Sequence, residues 1–142
     1  MALRMFIPAA PVPKGSAKAF KHYRTGRIIV TQDNRGKQKT FQGIATPIIN
    51  QAMTERAQMQ GAVSVQARFY VPRPKTVTRK MPSVKPDLDK YLRMILDALS
   101  PQRGKGGVWM DDGQVVSIVA TKEYATADQS AGVDLMVQEV EA

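Results

Sequence analysis

Cysteine is absent from this 142-residue chain, and histidine occurs once, as His22. The first absence excludes disulfides, thiolate zinc centres and a cysteine nucleophile, and it agrees with a reducing compartment. The second leaves a single imidazole, too few for a zinc site built on several histidines and a poor basis for a Ser-His-Asp arrangement. Long hydrophobic runs are missing as well: no segment approaches the roughly 18 to 20 apolar residues needed to span a bilayer, and MALRMFIPAAPVPKG holds no long apolar stretch with a cleavage site. The expectation is a soluble, cytoplasmic protein with no membrane partner. Acids are scarce in one half only. Residues 1–80 carry 15 Lys and Arg against Asp33 and Glu55, a balance of +13, whereas residues 81–142 carry six bases and ten acids, a balance of −4.

Such segregation suits a surface that meets a polyanion, because Lys and Arg that neutralise phosphates release condensed counterions. Solubility alone is the plainer explanation of a basic chain, so charge by itself leaves both readings open. A hydrophobic content of 43%, arranged with recurring period, argues for one folded domain with a sizeable core.

Residues 3–8, LRMFIP, read as a strand closed by a proline-rich turn, and KAFKHYRTGRIIVTQ, residues 18–32, reads as a hairpin turning at Thr25 and Gly26. Phe41, Ile44, Ile48 and Ala52 are spaced as on a helix between Lys39 and Met59, with Pro47 near its first turns and Gly61 as the stop. AVSVQARFYV, residues 62–71, alternates as a half-buried strand does. The next stretch, residues 72–87, holds four prolines and five bases and reads as a loop. Leu88, Tyr91, Leu92, Ile95, Leu96 and Leu99 define an amphipathic helix, and strands follow at 115–124 and 132–140. This order of elements predicts an α+β domain, a mixed sheet with two principal helices. Lys14, Lys18 on the hairpin, and Lys75, Arg79 and Lys80 in the basic loop are candidate phosphate contacts.

The acids of KPDLDKYLRMILDAL, residues 85–99, raise the chemical question. Residues two apart on a helix point about 200° from one another, so Asp87 and Asp89 aim at one point only if Asp87 precedes the first turn, as Pro86 favours. The plain alternative is that Asp87 caps the helix and Asp89 complements its dipole. Asp89, Arg93 and Asp97 recur at every fourth position, which an ordinary surface ion pair explains equally well. Asp111 and Asp112 form a second pair before Gly113, where a turn is the plain reading. Extended, the segment from Ser100 to Asp111 would reach roughly 40 Å against a helix of about 18 Å, so the chain can return along the helix and set Asp112 beside its start. Carboxylates without histidine or cysteine suit Mg²⁺, with Mn²⁺ able to substitute. Beside a basic surface, phosphodiester cleavage is the natural chemistry.

KPDLDKYLRMILDAL followed by GVWMDDGQVV resembles the signature of the RusA-type Holliday junction resolvases, phage- and prophage-associated endodeoxyribonucleases with a D-L-D-N helix start, a lysine one turn later, D-A-L, and W-x-D-D-x-Q-V. The likeness is strong over residues 85–122 and one of layout elsewhere. It implies metal-binding catalytic aspartates at Asp87, Asp89 and Asp112, with Asp111 the less certain of its pair. Arg93 stands where the family has its functional lysine, and Lys90 where it has asparagine; an arginine there stabilises phosphate charge but donates a proton poorly. Lys122 falls at a family base and is expected to touch DNA. The resemblance further implies a homodimer that nicks four-way junction DNA symmetrically in recombination and repair. Trp109 is expected in the core. A noncatalytic DNA-binding protein on the same fold, and an interaction protein whose acids only cap and turn, are the alternatives.

Overall fold

The structure, a computed structural model, describes residues 2–15, 17–32 and 35–140, and the side chains of all these except 17–20 and 29–32. Strand β1 (Ala2–Ile7) is followed by the hairpin of β2 (Ala17–Lys21) and β3 (Ile28–Gln32), helix α1 (Arg35–Ala52) and strand β4 (Val63–Val71). Helix α2 (Leu88–Leu99), a 3₁₀ turn at Asp112–Gln114, β5 (Val115–Tyr124) and β6 (Gly132–Glu139) complete the chain.

The main sheet has the order β1-β6-β4-β5, with β4 parallel to β5 and the other pairs antiparallel. A parallel pair needs a crossover, and α2 supplies it. Alternate residues of β4 (Val63, Val65, Ala67, Phe69 and Val71) are buried, as are Leu3, Met5 and Ile7 of β1 and Val133, Leu135 and Val137 of β6. That face carries both helices: Phe41, Ala45 and Ile49 of α1 and Tyr91, Met94, Ile95, Ala98 and Leu99 of α2 complete the core. Gln66 and Arg68 face away and are exposed, so the domain is a two-layer α+β fold. Phe69 stacks on Tyr91 with ring centroids 5.5 Å apart, fixing α2 over β4.

Strand and hairpin positions agree with the sequence pattern to within a residue or two, and Gly26, at φ +70°, makes the hairpin turn. Helix α1 differs. It begins at Arg35 rather than Lys39, ends at Ala52 rather than Met59, and carries Pro47 in its interior. Pro47 removes the bond to the Gly43 carbonyl, but both residues are exposed, where water can take that acceptor. The helix stops early because Met59 bridges to Trp109 and Glu55 adopts φ +63°, which draws the chain into an extended path toward β4.

Candidate nucleic-acid and metal site

Asp87 occupies the N-cap position of α2 with extended backbone, so it does lie outside the first turn. Its carbonyl accepts from the Lys90 N–H at 3.1 Å, but its carboxylate makes no capping hydrogen bond. The exposed side chain is therefore not consumed by the role that most simply explains an aspartate there. Asp89 is exposed in the first turn, and Arg93 is exposed one turn on. No ion pair joins Arg93 to Asp89 or Asp97 among the described residues; Asp97 is held instead by Lys14 at 2.8 Å. The Lys14 N–H also donates to the Lys90 carbonyl at 3.0 Å, so the segment before the hairpin is pinned to the polar side of α2.

Lys122 reaches from β5 to the same end of the helix. Its Nζ donates to the carbonyls of Val84 at 2.7 Å and Pro86 at 2.9 Å, fixing the residues that lead into Asp87. The basic loop 72–87 is folded against this end too, with Arg79 donating to the Tyr124 hydroxyl at 3.1 Å. Beneath the loop lies a cavity of about 410 Å³ bordered by Arg79, Lys85, Tyr91, Lys122 and Tyr124. Lys75 and Lys80 are exposed on the loop. Lys18 sits on β2, but its side chain lies outside the described residues.

Asp112 is elsewhere. Its Oδ1 accepts from the hydroxyl of Ser100, the C-cap residue of α2, and from Trp109 Nε1 at 3.0 Å. Twelve residues of helix, about 18 Å, separate that end from Asp87. The expectation that Asp112 returns to the start of α2 is thus not met within the chain. The reason is local: residues 100–108 close on themselves through paired bonds between Gln102 and Lys105 and a 2.8 Å bond from the Val108 N–H to the Leu99 carbonyl. Gly107, at φ +87°, permits this, since a Cβ there would lie 2.5 Å from the Pro101 nitrogen. The length available for a return along the helix is spent in a tight loop.

Asp111 caps the 3₁₀ turn, accepting from the Gly113 N–H at 2.9 Å, as the turn reading anticipates. Gln114 locks the turn: its Oε1 accepts from the N–H groups of Met110 and Asp111, and its Nε2 donates to the carbonyls of Met59 and Gly61. Trp109 is fully buried. The pattern reading missed Ser100 and Gln114 because both act through distant backbone or side-chain partners, which no local periodicity reports.

The sequence profile of the family described as endodeoxyribonuclease RusA matches residues 8–138. The chain belongs to that family. It is also 26% identical to YqaN, an uncharacterized protein of Bacillus subtilis (strain 168), over 99% of this chain and 98% of that protein. The RusA family supplies the class, a nuclease acting on junction DNA, and its mixed α+β fold agrees with the sheet described above. A divalent cation is implied for RusA-type chemistry. The donor type here suits one, since carboxylate oxygens favour hard ions. The placement within one chain does not: among the described residues no three acidic or imidazole side chains come together as a metal-holding group, and Asp112 stands at the opposite end of α2 from Asp87 and Asp89. No helix among the described residues is long and apolar enough to cross a membrane.

Proposed function

We propose that this protein is a Mg²⁺-dependent, structure-selective endodeoxyribonuclease that resolves Holliday junctions by paired symmetric nicks, acting as a homodimer in the cytoplasm during DNA recombination and repair. The observation that carries the reading is the start of α2. There Asp87 holds an N-cap position without capping, two residues from an exposed Asp89, within the stretch that matches the RusA pattern. The basic residues give the setting. Lys75, Arg79 and Lys80 lie on a loop folded beside Asp87, and Lys122 anchors the backbone that leads to it, so a phosphate backbone drawn to the loop arrives beside the aspartates. Lys14, beside α2, continues the basic residues toward the hairpin, whose strand β2 carries Lys18. Arg93, one turn along α2 from Asp89, is placed to offset negative charge on a phosphate at this end of the helix. The cation, with Mn²⁺ able to replace Mg²⁺, would supply a polarised phosphoryl oxygen and an activated water.

The test is incubation with four-way junctions of varied sequence, with and without Mg²⁺, followed by mapping of the nicks. Well-folded protein that cuts no junction would end the proposal. Asp89→Asn is expected to bind junctions as the wild type does and to lose nicking; undiminished cutting would remove Asp89 from the site. Tight, salt-dependent junction binding without metal-dependent turnover would instead identify a noncatalytic junction-binding protein.

A further inference from the structure

The cavity beneath the basic loop holds a polar group that neither the metal chemistry nor the fold uses. Tyr91, one turn into α2, is only 5% exposed, yet no protein group among the described residues hydrogen-bonds its hydroxyl. Among those residues every fully enclosed polar side-chain atom has a partner, so this hydroxyl is reached from outside, and the cavity that Tyr91 borders is the opening. A phenol closed off from bulk water and without a protein partner can both donate to and accept from a ligand.

The cavity lies where sheets with parallel strands take ligands. Val71 and Tyr124, the last residues of the parallel strands β4 and β5, both border it, as do Lys85 and Pro86, which lead into α2. The carboxyl ends of such strands, at the start of the crossover helix, form the usual crevice. A volume of about 410 Å³ falls within the roughly 300–1,000 Å³ of small-molecule sites. The loop is tied down above it: Arg73 donates to the Val77 carbonyl at 3.0 Å, and Arg79 to the Tyr124 hydroxyl. The space is therefore preformed.

The lining selects among ligands. Pro72, Pro74, Val77, Pro82 and Val84 give apolar walls, while Arg79, Lys85 and Lys122 stand on the border and no acid does. A bare anion would meet side-chain walls that cannot hydrogen-bond, and a purely apolar molecule would leave the hydroxyl unmet. A nucleobase on its own backbone answers both, with ring faces for the walls, an edge for the hydroxyl and phosphates for the bases. Lys122 gives two of its three donors to the Val84 and Pro86 carbonyls and keeps one.

We propose that this cavity takes one unstacked nucleobase of the bound junction and reads its edge through the Tyr91 hydroxyl, which makes Tyr91 a specificity-determining residue. The Tyr91 N–H donates to the Asp87 carbonyl at 3.4 Å, so a base held there belongs to a nucleotide close to the phosphate that Asp87 meets. Branch-point nucleotides are the source, because extrusion is easiest where the stack is already interrupted. The inference rests on the junction reading above and adds to it the choice of sequence.

Binding to four-way junctions without divalent ions tests the pocket apart from any cutting. Each nucleotide flanking the branch is varied through the four bases and an abasic residue. Wild type is expected to favour one base at one position and to bind the junction abasic there more weakly. Tyr91→Phe keeps the ring and should lower that preference by about 2- to 12-fold, the worth of one neutral hydrogen bond. It should bind the abasic junction as wild type does, with the same salt slope, a pattern that a merely loosened fold does not give. Val84→Trp, at an exposed position on the border of the cavity, should erase the difference between base and abasic residue while melting as wild type does. A wild type indifferent to the base at every position, or a Tyr91→Phe protein with unchanged preference, would overturn the pocket. So would a loss of affinity in Tyr91→Phe that is equal for every base and for the abasic residue. Mapping nicks with Mg²⁺ separates the two readings. A base-selective protein that cuts nothing refutes the nuclease and leaves the pocket standing; cutting without base preference does the reverse.

Discussion

Replacing Asp112 by alanine should destabilise the fold whether or not a metal ever binds. Asp112 Oδ1 is the acceptor for the indole N–H of Trp109 at 3.0 Å, and Trp109 is fully buried. Among the described residues no buried side-chain polar atom lacks a hydrogen-bond partner, so the substitution would create an orphaned donor. Ser100 suffers less, because its hydroxyl is also 2.6 Å from the Leu96 carbonyl. A buried donor left unsatisfied costs about 1–3 kcal/mol. For a domain of this size each kcal/mol moves Tm by about 3–4 °C, which places the expected drop at about 3–12 °C. Asp89→Ala is the control, since Asp89 is exposed and such surface changes usually stay within about 0.5 kcal/mol. Urea titration and thermal melts followed by circular dichroism, without divalent ions, measure both. An Asp112→Ala protein as stable as Asp89→Ala would show that the Trp109 bond does not hold the 3₁₀ turn. Asp112→Asn keeps an oxygen acceptor and should melt closer to wild type, which makes it the variant for separating chemistry from folding at this position.

Neutralising Lys75, Arg79 and Lys80 together to glutamine should flatten the salt dependence of junction affinity, by about 0.9 in the log–log slope for each phosphate that the loop neutralises in the wild type; an unchanged slope would exclude the loop from the phosphate surface. Burial raises the Tyr91 phenol above its usual value. The unfolded chain therefore deprotonates this group first as pH climbs through about 10, and stability contributed by the neutral phenol declines above that point. Tyr91→Phe keeps the stack on Phe69 and removes the titration, so its stability relative to wild type should increase between pH 9.5 and 11; a constant difference across that range would show that the phenol ionises alike in both states.

The strands and α2 were legible because their burial is local and periodic. Val63 to Val71 alternate, and Tyr91, Met94, Ile95, Ala98 and Leu99 form one stripe, so each element announces the face it hides. Helix α1 was less legible, since Pro47 reads as a boundary when taken alone; only the exposure of Pro47 and Gly43 makes it tolerable inside the helix. The ion pairing of α2 was misjudged for a similar reason. Spacing offered Arg93 as the partner of Asp97, but Lys14, more than eighty residues away in sequence, takes that carboxylate. At the acidic site the pattern placed Asp87 correctly beyond the first turn, because proline geometry is a property of neighbours.

Asp112 shows where length stops being information. An upper bound on reach, roughly 3.3–3.6 Å for each residue, says that a connection can span a distance but never that it does. The loop after α2 contains Gly104, Gly106 and Gly107, all at positive φ, and such residues let the backbone fold over itself instead of running out. Read for conformation rather than for reach, the same GKGG stretch favours a closed loop that returns the chain to Leu99 and leaves Asp112 at the C-terminal end of the helix. From that position a straight α2 works as a spacer, which holds the two acidic groups apart by its own length within a chain.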